Sequence, residues 1–197
     1  MNQDNDIFRI KHNSLLPEKG RILISEPFLR DLYFQRSVVL LVEHDTNGSM
    51  GFVLNKKTEF YLNDFIEGWE NVPQIPIFLG GPVAPDQLFF IHSLGDILPD
   101  SIRIDDNLYF YGDFERLNYY LLSGQPVHGK VKFFLGYSGW TKNQLAEEIA
   151  QDSWLVGKTS SRDMMVAEDE SFWKNAVETI GGPYLMWTNY PRDPQLN

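Results

Sequence analysis

The sequence contains no cysteine among its 197 residues. This absence excludes disulfides, thiolate zinc sites, iron–sulfur clusters and a cysteine nucleophile. Long hydrophobic runs are also missing, because the longest aliphatic segment, 38–42, is far shorter than the roughly 20 residues of a membrane-spanning helix. Residues 1–13 lack the apolar core of a secretory signal, so the sequence predicts a cytoplasmic protein with no membrane partner.

Basic residues are scarce, since 17 Lys and Arg against 27 Asp and Glu give a net charge of −10. A protein that neutralises DNA phosphates needs a basic face, whereas the longest basic run here is the pair Lys56 and Lys57. The composition therefore argues against direct nucleic-acid binding. The four histidines lack the spacing of metal ligands, so we expect neither a metal nor another cofactor.

Hydrophobic residues, by contrast, make up 43% of the chain and aromatic residues 14%, which is enough for a packed core without covalent staples. No low-complexity linker or repeat divides the chain. The sequence predicts a single domain spanning 1–197, with polar, loosely attached arms at 1–13 and 189–197.

The order of the predicted elements indicates an α+β fold with a mixed sheet and flanking helices. Short apolar or β-branched runs between turn residues predict strands at 21–25, 37–44, 51–54, 87–92, 108–111 and 130–136. Asn47-Gly48 predicts a hairpin turn. Apolar periodicity predicts helices at 62–69, at 114–121 after the cap Asp113, at 141–149 with a capping box from Thr141 to Gln144, and at 173–180.

The segment 136–140 (GYSGW) is predicted to be the turn between the last strand and the third helix. It resembles a nucleophile elbow, although a tryptophan stands at the second glycine of G-x-S-x-G. All four histidines precede Ser138, which excludes the α/β-hydrolase order of serine, acid and histidine. Other orders stay open, so a hydrolase or transferase using Ser138 with His44 or His92, and with Asp45, is an alternative.

Three further polar features each have two interpretations. The glycines of 80–82 permit an anion-binding nest or a tight turn. His44 and His92 each end a predicted strand and could meet, either as ligands or as rings bonded to backbone carbonyls. Glu147 and Glu148 are adjacent on a predicted helix, and we interpret them as a solvated face.

Motifs spread over most of the chain are similar to those of the YqgE/AlgH family. In order they are GRILISEP (20–27), FQRSVVLLVEH (34–44), GSMGFVLN (48–55), GGPV (80–83), His92, GYSGW (136–140), Gln144-Leu145 and Trp154. The resemblance implies a sheet curled into a pseudo-barrel with helices outside, in a bacterial cytoplasmic protein. Members are often labelled transcriptional regulators, but the resemblance implies no agreed activity. Asn143 departs from the family's usual glycine.

Two functions follow as hypotheses: a non-enzymatic regulatory module that binds a small molecule or a protein, and the hydrolase or transferase already described. Turn motifs without a catalytic constellation favour the first. Its candidate binding residues are His44, Gly80, Gly81, Pro82, His92, Tyr137, Ser138, Trp140 and Gln144. We predict that 136–140, Gln144, 80–83 and His44 gather on one face, beside strand ends where loops carry function.

Overall fold

The computed structural model describes residues 10–69 and 72–191, which form ten strands and four α-helices. The strands are β1 (Ile22–Ser25), β2 (Val38–His44), β3 (Gly48–Val53), β4 (Lys57–Tyr61), β5 (Pro76–Leu79), β6 (Val83–His92), β7 (Ile102–Asp105), β8 (Leu108–Phe110), β9 (Val131–Thr141) and β10 (Trp154–Gly157). The helices are α1 (Phe114–Leu122), α2 (Gln144–Ala150), α3 (Ser161–Val166) and α4 (Glu170–Ile180), with 3-10 turns at Leu62–Asp64, Gly95–Ile97 and Gly182–Asn189.

The sheet is mixed, as predicted, and its helices flank it. Its strand order is β10-β1-β2-β3-β9-β6-β8-β7, and every neighbouring pair on this path is antiparallel. β5 lies parallel to β9 and antiparallel to β4. The end strands β10 and β7 do not pair with each other, so the sheet is not closed into a barrel.

Both faces of the central strands are covered, which explains their continuous apolar runs. All of β1 is buried, and so are the first five residues of β2. On one face, Trp173 and Val177 of α4 pack in a cluster with alternate residues of these strands. On the other face, Leu145 and Ile149 of α2 pack with the remaining ones. The inward orientation predicted for α2 is therefore confirmed.

The helix predicted at 62–69 is wrong, because only the 3-10 turn Leu62–Asp64 forms there. The Asn63 amide replaces helical backbone bonds: it donates to the Trp69 and Val72 carbonyls and accepts from Ile75 N. Side chains of this type compete with the helix by bonding to nearby backbone. The apolar stripe that suggested a helix is thus split, with Leu62 and Trp69 buried in a cluster with α1.

The predicted arms fall mostly on 1–9 and 192–197, which lie outside the described residues. Next to them, His12 N donates to Asp152 Oδ1 at 2.8 Å. Asn13 Nδ2 donates to Val156 O at 2.6 Å, and its Oδ1 accepts from Val156 N at 3.0 Å. Residues 12 and 13 are thereby fixed against Asp152 and β10, respectively. Within 10–69 and 72–191, no helix is long and apolar enough to cross a membrane.

Candidate functional site

β9 runs straight through the segment that the sequence predicts to be a turn. Residues 138–141 pair with 48–51 of β3, and Tyr137 pairs with Val83 of β6. The predicted strand-to-helix elbow is therefore wrong. The chain turns into α2 only at Asn143, whose φ of +66° is left-handed. Glycine adopts this conformation freely and asparagine tolerates it, so this turn does not require a glycine.

Only half of the capping box predicted for α2 is present, the bond from Thr141 N to the Gln144 side chain. Asn143 occupies the N-cap position in place of Thr141, and its side chain makes no capping bond. Instead Gln144 Oε1 accepts hydrogen bonds from Thr141 N at 3.0 Å and from Thr141 Oγ1 at 3.2 Å. These two bonds fix the Gln144 amide where the strand leads into the helix.

Ser138 is completely buried within β9. Its Oγ donates to the Gly80 carbonyl oxygen at 3.0 Å. The two candidate histidines bond elsewhere, since His44 bonds to Ser49 and His92 bonds to Tyr111. The structure therefore does not bring Ser138 and a histidine into a nucleophile–base pair.

Gly80 and Gly81 bring the chain into backbone contact with β9. The Gly80 N–H donates to Leu135 O at 2.8 Å, so this amide is not open to an anion. A Cβ at Gly80 would lie 2.1 Å from Gly136 O, and one at Gly81 would lie 2.3 Å from the carbonyl carbon of Tyr137. Real Cβ atoms do not approach so closely, hence both positions require glycine. Pro82 follows them and is exposed.

His92 lies at the opposite end of β9 from the other candidates. It pairs with Val131, whereas Trp140 is nine residues further along the strand, a distance of up to about 30 Å. Its Nε2 bonds to Tyr111 O at 2.8 Å, and its Nδ1 accepts from Leu94 N at 3.2 Å. Burial lowers the pKa of His92 against the opposing effect of the Tyr111 bond. The ring is therefore a neutral bridge between backbone groups, and it does not meet His44.

His44, Ser49 and Trp140 form a row across three strands. Ser49 pairs with His44 of β2 on one side and with Trp140 of β9 on the other. Directly opposite residues point to the same face of a sheet, so all three share the face that α2 covers. The His44 Nδ1 lies 2.7 Å from Ser49 Oγ, and the His44 Nε2 has no partner among the described residues. His44 thus offers one ring nitrogen to a ligand.

Glu148 completes this region, and its interpretation as a solvated residue is wrong. Its Oε2 accepts hydrogen bonds from the indole N–H groups of Trp140 and Trp154, each at 2.8 Å. Its Oε1 accepts from Gln144 Nε2 at 3.0 Å. In the sequence, only the i, i+4 spacing of Gln144 and Glu148 indicates a bond to Glu148. The bonds from the two tryptophans depend on long-range pairing that periodicity does not show.

We call His44, Ser49, Trp140, Gln144 and Glu148 the sheet-end surface. Trp140 is itself 6% exposed, while the other four side chains are partly exposed. Phe34 covers the indoles, with ring centroids 6.2 Å from Trp140 and 5.4 Å from Trp154. The surface therefore combines oriented polar groups with an aromatic wall.

Asp45 does not join the sheet-end surface through its carboxylate. Asp45 Oδ1 accepts from Asn47 N at 2.7 Å and from Gly48 N at 3.2 Å, and so holds the β2–β3 hairpin. The backbone bond from Asn47 is the main cause that lowers the Asp45 pKa. Across 10–69 and 72–191, no group of three His, Asp or Glu residues has metal-binding geometry.

Lys132 is a buried lysine that the sequence analysis did not predict. It is 3% exposed on β9, donates to Ala167 O, and lies 3.9 Å from the centre of the Phe78 ring. Burial lowers its pKa from 10.5 to about 7, against the opposing charge of Glu168. Only the apolar pattern around it, VKFF, could have signalled that this lysine faces the core.

Comparison with known proteins identifies the family. The model of the AlgH-like family, DUF179, matches residues 22–185. A UPF0301 protein of Parabacteroides distasonis is 58% identical over 193 residues, covering 98% of both chains. One of Bacteroides thetaiotaomicron is 45% identical over the full length of both.

Solved structures show the same fold. The solution structure of the AlgH protein from Pseudomonas aeruginosa aligns with a TM-score of 0.70 at 25% identity, covering 92% of this chain and 98% of that one. The crystal structure of DIP2367 from Corynebacterium diphtheriae aligns with a TM-score of 0.72 at 21% identity, covering 92% and 95%. The chain belongs to the AlgH-like, UPF0301 family.

Proposed function

We propose that the protein is a non-enzymatic regulatory module that binds a cationic group, carried by a small molecule or a partner protein, at the sheet-end surface. The observation that carries this proposal is the oriented carboxylate of Glu148. An ionised carboxylate has about four acceptor sites. Two indole N–H groups occupy Oε2 and one amide occupies a site of Oε1, so one acceptor site of Oε1 remains for a ligand.

The surroundings of Glu148 support a cationic ligand. The Trp140 indole N–H bonds to the carboxylate and the Phe34 ring stacks on Trp140, and aromatic faces attract ammonium and guanidinium groups. A charge-assisted bond to the carboxylate would add to this attraction. The net charge of −10 also raises the local concentration of cations around the whole protein.

Binding fits the geometry better than catalysis does. The Ser138 hydroxyl is buried and bonded to a carbonyl, and His92 is bonded to backbone at the far end of β9. A general base must reach the proton that it removes, and no histidine within 10–69 and 72–191 bonds to Ser138. The acidic net charge also argues against a regulator that binds DNA directly.

Gln144→Ala and His44→Ala are expected to weaken binding of agmatine, which carries a guanidinium and an amine. Losing one hydrogen bond that orients the surface reduces affinity by roughly threefold to tenfold. The free energy of unfolding changes by only about 0.5 kcal/mol, because both side chains are partly exposed. Calorimetric titration gives the affinity, and urea unfolding gives the stability.

Gln87→Ala is the matched control, since Gln87 is an exposed amide on β6. It should leave both quantities unchanged. Labelled duplex DNA in about 150 mM salt should bind without sequence preference and no tighter than about 1 μM. Three results would each contradict the proposal: unfolding of both variants, an equal loss of agmatine affinity in the control, or tight sequence-specific DNA binding.

A further inference from the structure

A cavity of about 650 Å³ lies away from the sheet-end surface, between α3, α4 and the chain that follows β10. Its size is within the range of small-molecule sites. Lys158 and Thr159 line it after β10, Glu168 lines it from the α3–α4 junction, and Asn175 lines it from α4. The groups that face this space therefore come from separate elements, all fixed to the same sheet.

Two opposite charges line this cavity without forming an ion pair with each other. The Glu168 carboxylate does act on the charge of the buried Lys132. Lys158 has no hydrogen-bond or ion-pair partner among the described residues, and it forms no ion pair with Glu168. The other two carboxylates of the lining each accept a hydrogen bond within the chain: Asp163 Oδ2 accepts from Ser160 Oγ at 2.6 Å, and Asp169 Oδ1 accepts from Ser171 N at 2.8 Å. Lys158 thus offers a cation to a ligand, and Glu168 offers a carboxylate that accepts no hydrogen bond among the described residues.

The rest of the lining adds neutral polar and apolar groups. The Asn175 amide has no partner among the described residues and supplies both a donor and an acceptor. Val166, Phe172 and Ala176 supply an apolar wall, and Val166 is 40% exposed there. A ligand that suits this lining has a carboxylate, an ammonium group and an apolar part.

We propose that this cavity binds a small zwitterion of the free amino acid or dipeptide class, with its carboxylate at Lys158 and its ammonium group at Glu168. An apolar side chain of the ligand packs on Val166 and Phe172. This cavity is separate from the sheet-end surface, so the result of the agmatine experiment does not affect this proposal.

The test uses the twenty protein amino acids and L-alanyl-L-leucine as probes, each titrated into the full chain by calorimetry. We expect at least one to bind with a Kd below about 10 mM. The N-acetylated and carboxamide forms of that probe should each bind at least about tenfold more weakly, because each loses one charge-assisted contact. Absence of binding by all probes, or equal binding of the capped forms, would overturn the proposal.

Variants locate the site. Lys158→Gln should weaken binding of the zwitterion by about tenfold and leave binding of its carboxamide form unchanged. Glu168→Gln should likewise weaken binding of the zwitterion by about tenfold and leave binding of its N-acetylated form unchanged. Lys142→Gln and Glu147→Gln are exposed controls at the start of α2 and should change nothing. All four positions are exposed, so folding is retained and urea unfolding verifies it. Equal losses in variants and controls would contradict the assignment.

Discussion

Gly80→Ala is expected to lower the free energy of unfolding by more than about 4 kcal/mol, which approaches the whole stability of a typical domain. The added Cβ would lie 2.1 Å from Gly136 O and 3.0 Å from carbons of Phe134 and Phe52. All of these atoms belong to the packed sheet, and Gly80 itself bonds to Leu135 O and Val53 N. Neither Gly80 nor Gly136 can therefore move away without breaking strand pairing.

Gly139→Ala is the matched control for this substitution. Gly139 is an exposed glycine of β9 with an ordinary φ, and its added Cβ would lie 3.2 Å from a ring carbon of Tyr137. That ring can shift, so we expect a change within about 1 kcal/mol. Urea unfolding followed by tryptophan fluorescence measures both variants. A Gly80→Ala protein as stable as the control would show that the backbone contact is not required.

Lys132→Met is expected to remove a pH dependence of stability that the native protein has. The pKa of Lys132 falls from 10.5 to about 7 on folding, mainly because the ammonium is buried. Between these values the unfolded chain binds more protons than the folded one, so the native free energy of unfolding rises with pH. One pKa unit corresponds to about 1.4 kcal/mol, so the rise relative to the variant is about 3–4 kcal/mol from pH 7 to pH 10.

Chemical unfolding at several pH values, for the native protein and the variant, measures this difference. Lys130→Met is the control, because Lys130 is exposed two residues earlier in the chain. It should leave the pH profile of the native protein unchanged. Methionine also loses the bond to Ala167 O, but that loss is the same at every pH. Parallel profiles for all three proteins would show that Lys132 stays charged in the fold.

The elements that the sequence predicted well are those with local signals. α1 begins after Asp113, whose carboxylate accepts from Arg116 N at 3.1 Å, and it buries Leu117 and Leu121 as its periodicity indicated. The hairpin at Asn47-Gly48 joins β2 to β3. Caps, turns and apolar stripes depend on a few neighbouring residues, so they can be read from one sequence.

The failures concern features set by distant partners. The glycines of 136–140 look like a turn locally, but pairing with 48–51 extends the strand through them. Glu148 looks solvated until the sheet brings two indole N–H groups to its carboxylate. Lys132 looks like a surface residue until the α3–α4 junction covers it. Strand order also decides which strand ends meet: it places His44 beside Ser49 and Trp140, and it places His92, which pairs with Val131, at the other end of β9.

Binding of a cationic group through Glu148 is the proposed function of the sheet-end surface. Titrating agmatine into 15N-labelled protein, followed by amide and indole N–H resonances, tests it most directly. Glu147→Gln serves as the exposed control, and Glu148→Gln keeps an oxygen acceptor for the two indoles while removing the charge. We predict shifts at the Trp140 indole and at the amides of Ser49 and Gln144, and we expect these shifts to disappear in Glu148→Gln alone. Shifts confined to other residues, or shifts that persist in Glu148→Gln, would contradict it.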